Sequence, residues 1–179
     1  MNASVVQPGR TPAKKKSGAV VAAAITIAGL GQVYDMAAPE IRYWEGMRNT
    51  PYRDIVNVLT VCYGHTGKDI VPGKKYTAAE CNMTLKRDMD VHFKYIQKCI
   101  RAPLPIPTLA ALLVGTFNLG PGFVCGSKLQ KHFNAGEIAQ GCGQIMRWTR
   151  AGGQVVQGLV NRRKVEYKLC MLGMLEVYK

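Results

Sequence analysis

Residues 1–16 are polar and basic, carry Pro8 and Pro12, and read as a disordered leader. From Ser17 to Tyr34 the chain then runs for eighteen residues without a charge, SGAVVAAAITIAGLGQVY. Such a run is just long enough to cross a bilayer as a helix. Five alanines, three glycines, a serine and a threonine dilute its valines, isoleucines and single leucine. Basic residues ahead of it would keep the N-terminus in the cytoplasm and send the rest of the chain across. A cleaved signal peptide fits the charge and length, but its small-residue cleavage sites would fall inside the run or just before Pro39. A permanent anchor is normally more apolar, and a buried Ala-rich helix of a soluble domain is the plain alternative. The expectation is a marginal anchor over residues 17–36 that inserts uncleaved and can later leave the bilayer.

Beyond it the periodicity changes repeatedly. Pro39 to Gly46 predicts a short helix, with Pro39 at the first helical position, Glu40 in the first turn and Gly46 as the stop. Asn49-Thr50-Pro51 is a turn, and Pro51 to Asp54 enters a strand. Val56 to Tyr63 is β-branched and aromatic with alternating character, which predicts a second strand. Gly64, Gly67 and Gly73 punctuate the turns that follow. Thr77-Ala78-Ala79-Glu80 is a capping box opening a long helix to about Ile100, with Met83, Met89, Phe93 and Ile96 as core residues. Pro103, Pro105 and Pro107 break the pattern and suggest a lobe boundary at 101–108. Helices are then expected over Leu109–Leu119, from Ser127 to about Phe133, over Glu137–Trp148, and from Leu159 to about Leu175, with a loop at Gly152-Gly153. The fold class is therefore α+β, in one domain over 39–179. Residues 39–100 supply a small antiparallel-sheet lobe and a linking helix, and 101–179 a helical lobe.

Composition narrows the function. The formal net charge of the 179 residues is +13. Arg10, Lys14, Lys15 and Lys16 supply four of these charges and Asp35 removes one, so the chain from Pro39 onward still carries +10. The folded part is basic, which suits an anionic partner such as an acidic wall polymer, anionic lipid or nucleic acid. Zinc-finger spacing and a basic-aromatic stripe are absent, so nucleic acid is the weakest of the three. Six cysteines (Cys62, Cys81, Cys99, Cys125, Cys142, Cys170) form no C-x-x-C pair, and His65, His92 and His132 are scattered. No metal and no cofactor are expected. An even number of widely spaced cysteines favours disulfides in an oxidising compartment over six buried thiols, with the pairing left open.

The stretch Trp44–Thr66, WEGMRNTPYRDIVNVLTVCYGHT, concentrates the candidate chemistry. Glu45, Asp54 and Thr60 lie within it, on either side of a helix-to-strand change. Two carboxylates in unlike environments can divide the cleavage of a glycosidic bond, one giving a proton and the other staying ionised. Glu45 at a helix C-terminus meets the negative end of the dipole, which disfavours ionisation and suits an acid. Asp54 beside Arg53 in a polar turn suits the ionised role.

These residues resemble the phage-type lysozymes of glycoside hydrolase family 24, and within them the signal-anchor-release endolysins. The resemblance rests on Glu45, eight residues, Asp54, five residues, Thr60, and on the strings WEGMR, PYRD and TVCYGHTG around them. Further matches follow in register: Tyr76-Thr77 with Glu80-Cys81, Phe117-Asn118-Leu119-Gly120, Asn134-Ala135-Gly136, Arg147-Trp148 and Gly158-Leu159-Val160-Asn161-Arg162-Arg163. It implies a lysozyme-like fold. It also implies hydrolysis of the peptidoglycan β-1,4 bond between N-acetylmuramic acid and N-acetylglucosamine. Glu45 would be the general acid. Asp54 would activate water or stabilise the oxocarbenium-like transition state, and Thr60 would hold the water or touch the sugar. Arg162 would approach Glu45 from the helical lobe, its charge opposing the helix dipole. Tyr63, Gly64, His65 and Asn118 are further candidates around the cleft. His65 is expected to pair with Asp88 in a structural role, and Asn118 either lines the cleft or ends a helix. Trp148 is expected in the core.

The same resemblance implies bridges Cys62–Cys81, Cys99–Cys125 and Cys142–Cys170. It implies a monomer at the host inner membrane, N-terminus cytoplasmic and catalytic domain periplasmic, later released to the periplasm. Asn57 and Leu59 depart from the Gly and the bulkier or Pro residue that relatives often carry, which suggests a different loop between Asp54 and Thr60. The anchor holds no cysteine, so activation is expected from refolding rather than disulfide exchange. A lytic transglycosylase, which needs one acid, and a non-enzymatic wall-binding or membrane-permeabilising protein are the competing readings.

Overall fold

The computed structural model describes residues 27–54 and 56–177. Helix α1 spans Ile27–Glu45. Strands β1 (Arg48–Arg53), β2 (Leu59–Cys62) and β3 (His65–Thr66) form an antiparallel sheet in that order. The long helix α2 (Ala78–Cys99) leads to a lobe of α3 (Ile106–Leu119), α4 (Lys128–Asn134), α5 (Ile138–Gln144) and α6 (Gln157–Val177). A two-residue-per-strand hairpin, β4 (Arg150–Ala151) and β5 (Gln154–Val155), precedes α6 and turns at Gly152-Gly153. The architecture is the expected α+β arrangement of sheet lobe, linking helix and helical lobe.

The first helix corrects the sequence reading. It does not start at Pro39: the chain is already helical at Ile27, the first described residue, and Pro39 sits inside the helix. Val33, Tyr34, Ala37, Ala38 and Ile41 are all buried, at the spacing of one helical face. The helix packs on α3, and Tyr34 donates a 2.6 Å hydrogen bond to Asp90 Oδ1 on α2. A mid-helix proline costs about 3 kcal/mol, whereas burial of each large apolar side chain on this face contributes about 1.5–3 kcal/mol. Packing therefore carries the helix through a residue that local rules place at its start. Residues 17–26 of the expected anchor lie outside the described residues, while 27–36 form the first half of α1. No helix among the described residues is long and apolar enough to cross a membrane.

Other elements follow their local signals. Thr77 and Glu80 form the capping box reciprocally, each side chain accepting from the other's backbone amide. Met89, Phe93 and Ile96 of α2 are buried, but Met83 is 62% exposed and is not core. The second strand is shorter than its alternating pattern, because Val56 to Val58 are spent on the turn from β1. Pro51 coincides with an irregularity in the β1–β2 register, where a missing amide is tolerated on an edge strand. The helix expected to reach Trp148 ends at Gln144 and continues only as a 3₁₀ turn over Ile145–Arg147. Trp148 is partly buried against the core, its ring edge-on to Phe123 at 4.8 Å. Ser127 caps α4 by accepting from the Gln130 amide.

Three disulfides link Cys62 to Cys81, Cys99 to Cys125 and Cys142 to Cys170, the pairing implied above. They tie β2 to the start of α2, the end of α2 to the loop before α4, and α5 to α6.

Candidate active site

Glu45 is the last residue of α1. Gly46 ends the helix because its φ of +66° lies where a side chain would be strained. The stop leaves the Glu45 carboxylate at the junction of the two lobes. From the helical side, Arg162 Nη2 of α6 donates to Glu45 Oε1 at 2.7 Å. From the sheet side, Gly64 approaches the other oxygen: a Cβ there would stand 3.8 Å from Glu45 Oε2, and Gly64 has a φ of +83°. Glu45 is 21% exposed at the side chain and Arg162 6%, so the acid reaches solvent while its partner does not. The Arg162 guanidinium also lies 5.8 Å from the Trp44 ring centre, within cation–π range.

Asp54 follows β1 directly and builds the turn to β2. Its Oδ1 accepts from the amides of Val56 at 3.0 Å and Val58 at 2.8 Å. Its own amide donates to the Val58 carbonyl, and its carbonyl accepts from Asn57. Asn57 takes a φ of +65°, a conformation that asparagine tolerates better than most residues with a side chain. The departure from glycine at this position therefore still permits a tight turn. Arg53 Nη1 adds a bond to the Asn57 carbonyl at 2.8 Å. Thr60 sits in the central strand opposite Tyr52 and Thr66, is 4% exposed, and donates from Oγ1 to the Val58 carbonyl at 3.1 Å. The Asp54 carboxylate and the Thr60 hydroxyl are thus referenced to one residue, Val58.

The remaining candidates divide. Tyr63 is buried in the apolar core. His65 of β3 joins α2 and the loop between them: Nδ1 lies 3.0 Å from both oxygens of Asp88 on α2, and Nε2 lies 3.0 Å from Asp69 Oδ1. Arg87 closes the set on Asp69 Oδ2 at 3.2 Å. The hydrogen bond from His65 holds the Asp69 carboxyl below its usual range, whereas burial pushes Asp88 up against the pull of His65. This group pins β3 to α2. Asn118, in the last turn of α3, accepts from Arg163 Nη2 at 2.7 Å and so belongs to the charged cluster behind Glu45.

Within that cluster, Glu166 was missed in sequence. Glu166 Oε1 lies 3.2 Å from Arg162 Nε and 2.9 Å from Arg163 Nη2, with Glu166 1% exposed. The only sequence signal is opposite charge at three and four residues' spacing on a helix, which ordinarily marks a solvated face. Burial pushes the Glu166 carboxyl up to about 7 against the pull of Arg163 and Arg162, and burial likewise pushes Arg163 down. The Glu166 value is raised above its ordinary 4.5, so its contribution to stability is fully present below that value and is lost as pH rises through about 7. Between about pH 5 and 8 this removes roughly 2–3 kcal/mol, several degrees of melting temperature. Melting curves of the native chain and Glu166→Gln across that range check it: the native chain should lose the extra degrees, and parallel curves would contradict the assignment.

Among the described residues no group of three or more His, Cys, Asp or Glu side chains is placed to hold a metal ion. The arrangement offers one partly exposed carboxyl with a fixed guanidinium on one oxygen, and one carboxyl built into a turn whose Val58 also takes a buried hydroxyl.

The phage lysozyme profile matches residues 42–166. A SAR-endolysin of Bacteriophage PS119 is 42% identical over 156 residues, covering 87% of this chain and 89% of that protein. A SAR-endolysin of Bacteriophage PS34 is 40% identical over the same extent of both. Among solved structures, the active form of P1 phage endolysin Lyz is similar at a TM-score of 0.72 and 22% identity, covering 82% of this chain and 91% of that one. On these matches the chain belongs to the phage lysozyme family and is of the SAR-endolysin type.

Proposed function

We propose that Glu45 is the general acid of an N-acetylmuramidase reaction, with Asp54 and Thr60 serving the attacking water. The chain is a phage endolysin, a lysozyme-type glycoside hydrolase that degrades peptidoglycan. The finer reading is that it hydrolyses the β-1,4 bond from N-acetylmuramic acid to N-acetylglucosamine. The observation that carries it is the Glu45 carboxyl at the lobe junction, with Oε1 taken by Arg162 and Oε2 beside Gly64. An acid held at one oxygen presents the other to the glycosidic oxygen in a constant position, and positioned proton transfer contributes about 10²–10⁴-fold. Asp54, fixed by two amides, is a defined base or countercharge for the opposite face of the sugar. Thr60 is too buried to meet a sugar directly. Its hydroxyl proton is given to Val58, which leaves lone pairs to accept from a water.

The membrane reading is that residues 17–36 hold the enzyme at the host inner membrane, N-terminus in the cytoplasm, until the domain is released to the periplasm. Burial of Val33 and Tyr34 in the folded core supports it as a control device. The same residues cannot be in lipid and in the core together, so release and completion of α1 become one event. Residues 1–16 and 17–26 lie outside the described part of the chain. A monomer with peptidoglycan as its partner remains the expectation.

One experiment addresses both readings. Membrane and soluble fractions taken before and after collapse of the membrane potential are assayed on purified peptidoglycan, and the released fragments are weighed. Activity should move from the membrane to the soluble fraction, and products should carry the mass of one added water. Anhydro products would replace hydrolysis by transglycosylation. Soluble, active enzyme before collapse would remove the anchor.

A further inference from the structure

Arg162 and Glu166 stand about one turn apart on α6, and both are nearly sealed from solvent. Glu166 Oε1 takes Arg162 Nε at 3.2 Å and Arg163 Nη2 at 2.9 Å. Arg162 then points Nη2 at Glu45 Oε1, 2.7 Å away, and Arg163 points Nη2 at Asn118 Oδ1, also 2.7 Å away. A single carboxylate oxygen thus fixes two guanidiniums, one aimed at the acid of α1 and one at the end of α3. A guanidinium is planar, so a hydrogen bond at Nε sets the direction of both terminal nitrogens. Without an acceptor at Nε, Arg162 keeps its charge but loses the reference that aims Nη2.

We propose that Glu166 is a positioning residue for the reaction, its Oε1 holding Arg162 in the orientation that fixes Glu45 at the lobe junction. This rests on the reading of Glu45 as general acid. Arg162 and Arg163 face Glu166 from its own helix, Glu40 acts on it from α1, and Asn118 of α3 is joined to it through Arg163. Glu45 lies one guanidinium beyond it. Glu166 touches no substrate and acts only through Arg162.

The test compares Glu166→Leu, Glu166→Gln, Arg162→Ala and their double variants on purified soluble peptidoglycan chains. Rates are scaled to folded protein and measured over a range of substrate concentrations, so that kcat and KM are separated. Glu166→Leu removes the acceptor, and kcat should fall about tenfold or more with KM within about twofold of native. Glu166→Gln keeps an acceptor oxygen and should keep native kcat. In the Arg162→Ala background, either change at Glu166 should cost no further activity. A native kcat in Glu166→Leu would overturn the proposal. So would equal losses in the Leu and Gln variants, or additive losses in the double variants. Should Glu166→Leu fail to fold, Glu166→Asp keeps the charge, withdraws the oxygen by one methylene, and carries the same expectations. Failure of the Glu45 reading is separate: it appears as activity in Glu45→Gln, whatever the Glu166 variants do.

Discussion

Glu45→Gln should lower peptidoglycan turnover by about a thousandfold while the melting temperature stays close to native. Glutamine has the shape of glutamate and retains an oxygen for Arg162 Nη2, so the end of α1 and its contact with α6 survive. It has no acidic proton for the leaving oxygen. The side chain is partly exposed, and Arg162 keeps Glu166 and the Trp44 ring as neighbours, so the loss of one charge is not the loss of a buried pair. Stability should change by less than about 2 kcal/mol. The measurement is the fall in turbidity of chloroform-treated Gram-negative cells, beside a thermal melt. Native turnover by this variant would end the assignment of Glu45, and a collapsed melt would make the activity loss uninformative.

Reduction of the disulfides should unfold the lysozyme domain at 37 °C. The bridges close loops with separations of 19, 26 and 28 residues, and no loop overlaps another. Loop-closure entropy assigns each about 3–4 kcal/mol, and independent loops make the contributions close to additive, about 10 kcal/mol together. The net stability of a domain is about 5–15 kcal/mol, so little or none would remain. Titration with dithiothreitol, followed by near-ultraviolet circular dichroism, measures it. A domain that stays folded and active with six free thiols would contradict the estimate. The outcome bears on compartment, because a reducing cytosol would then withhold the fold as well as the substrate.

Much of this was legible in the residues, and the parts that were not have a common physical origin. The capping box at Thr77 and Glu80, the Gly46 stop and the Ser127 cap are local signals, and each fixes an element end in the structure. The disulfide pairing came from the family resemblance rather than from spacing. Local rules failed where packing outweighed them. Pro39 is a helix starter by propensity, yet the buried face from Val33 to Ile41 extends α1 across it. Val33 and Tyr34 have the apolar character that lipid and a protein core both ask for, so their burial in the core was not legible locally. Val56 to Val58 had the composition of a strand but are drawn into a turn by the Asp54 carboxylate. Glu45, Asp54, Thr60 and Arg162 were named as candidates in sequence, and the structure places Arg162 on Glu45 as expected. Glu166 was not, since two charges one turn apart look the same in sequence whether water or protein surrounds them.

The order of the bridges has a consequence for how the chain matures. Each cysteine pairs with the next one along the sequence, first with second, third with fourth, fifth with sixth. A chain that meets an oxidant N-terminal end first can therefore close each loop before the next pair arrives. Joining cysteines in order of arrival yields the native set, so maturation needs an oxidase but no shuffling step, and a host without disulfide isomerase should still produce the fully bridged enzyme.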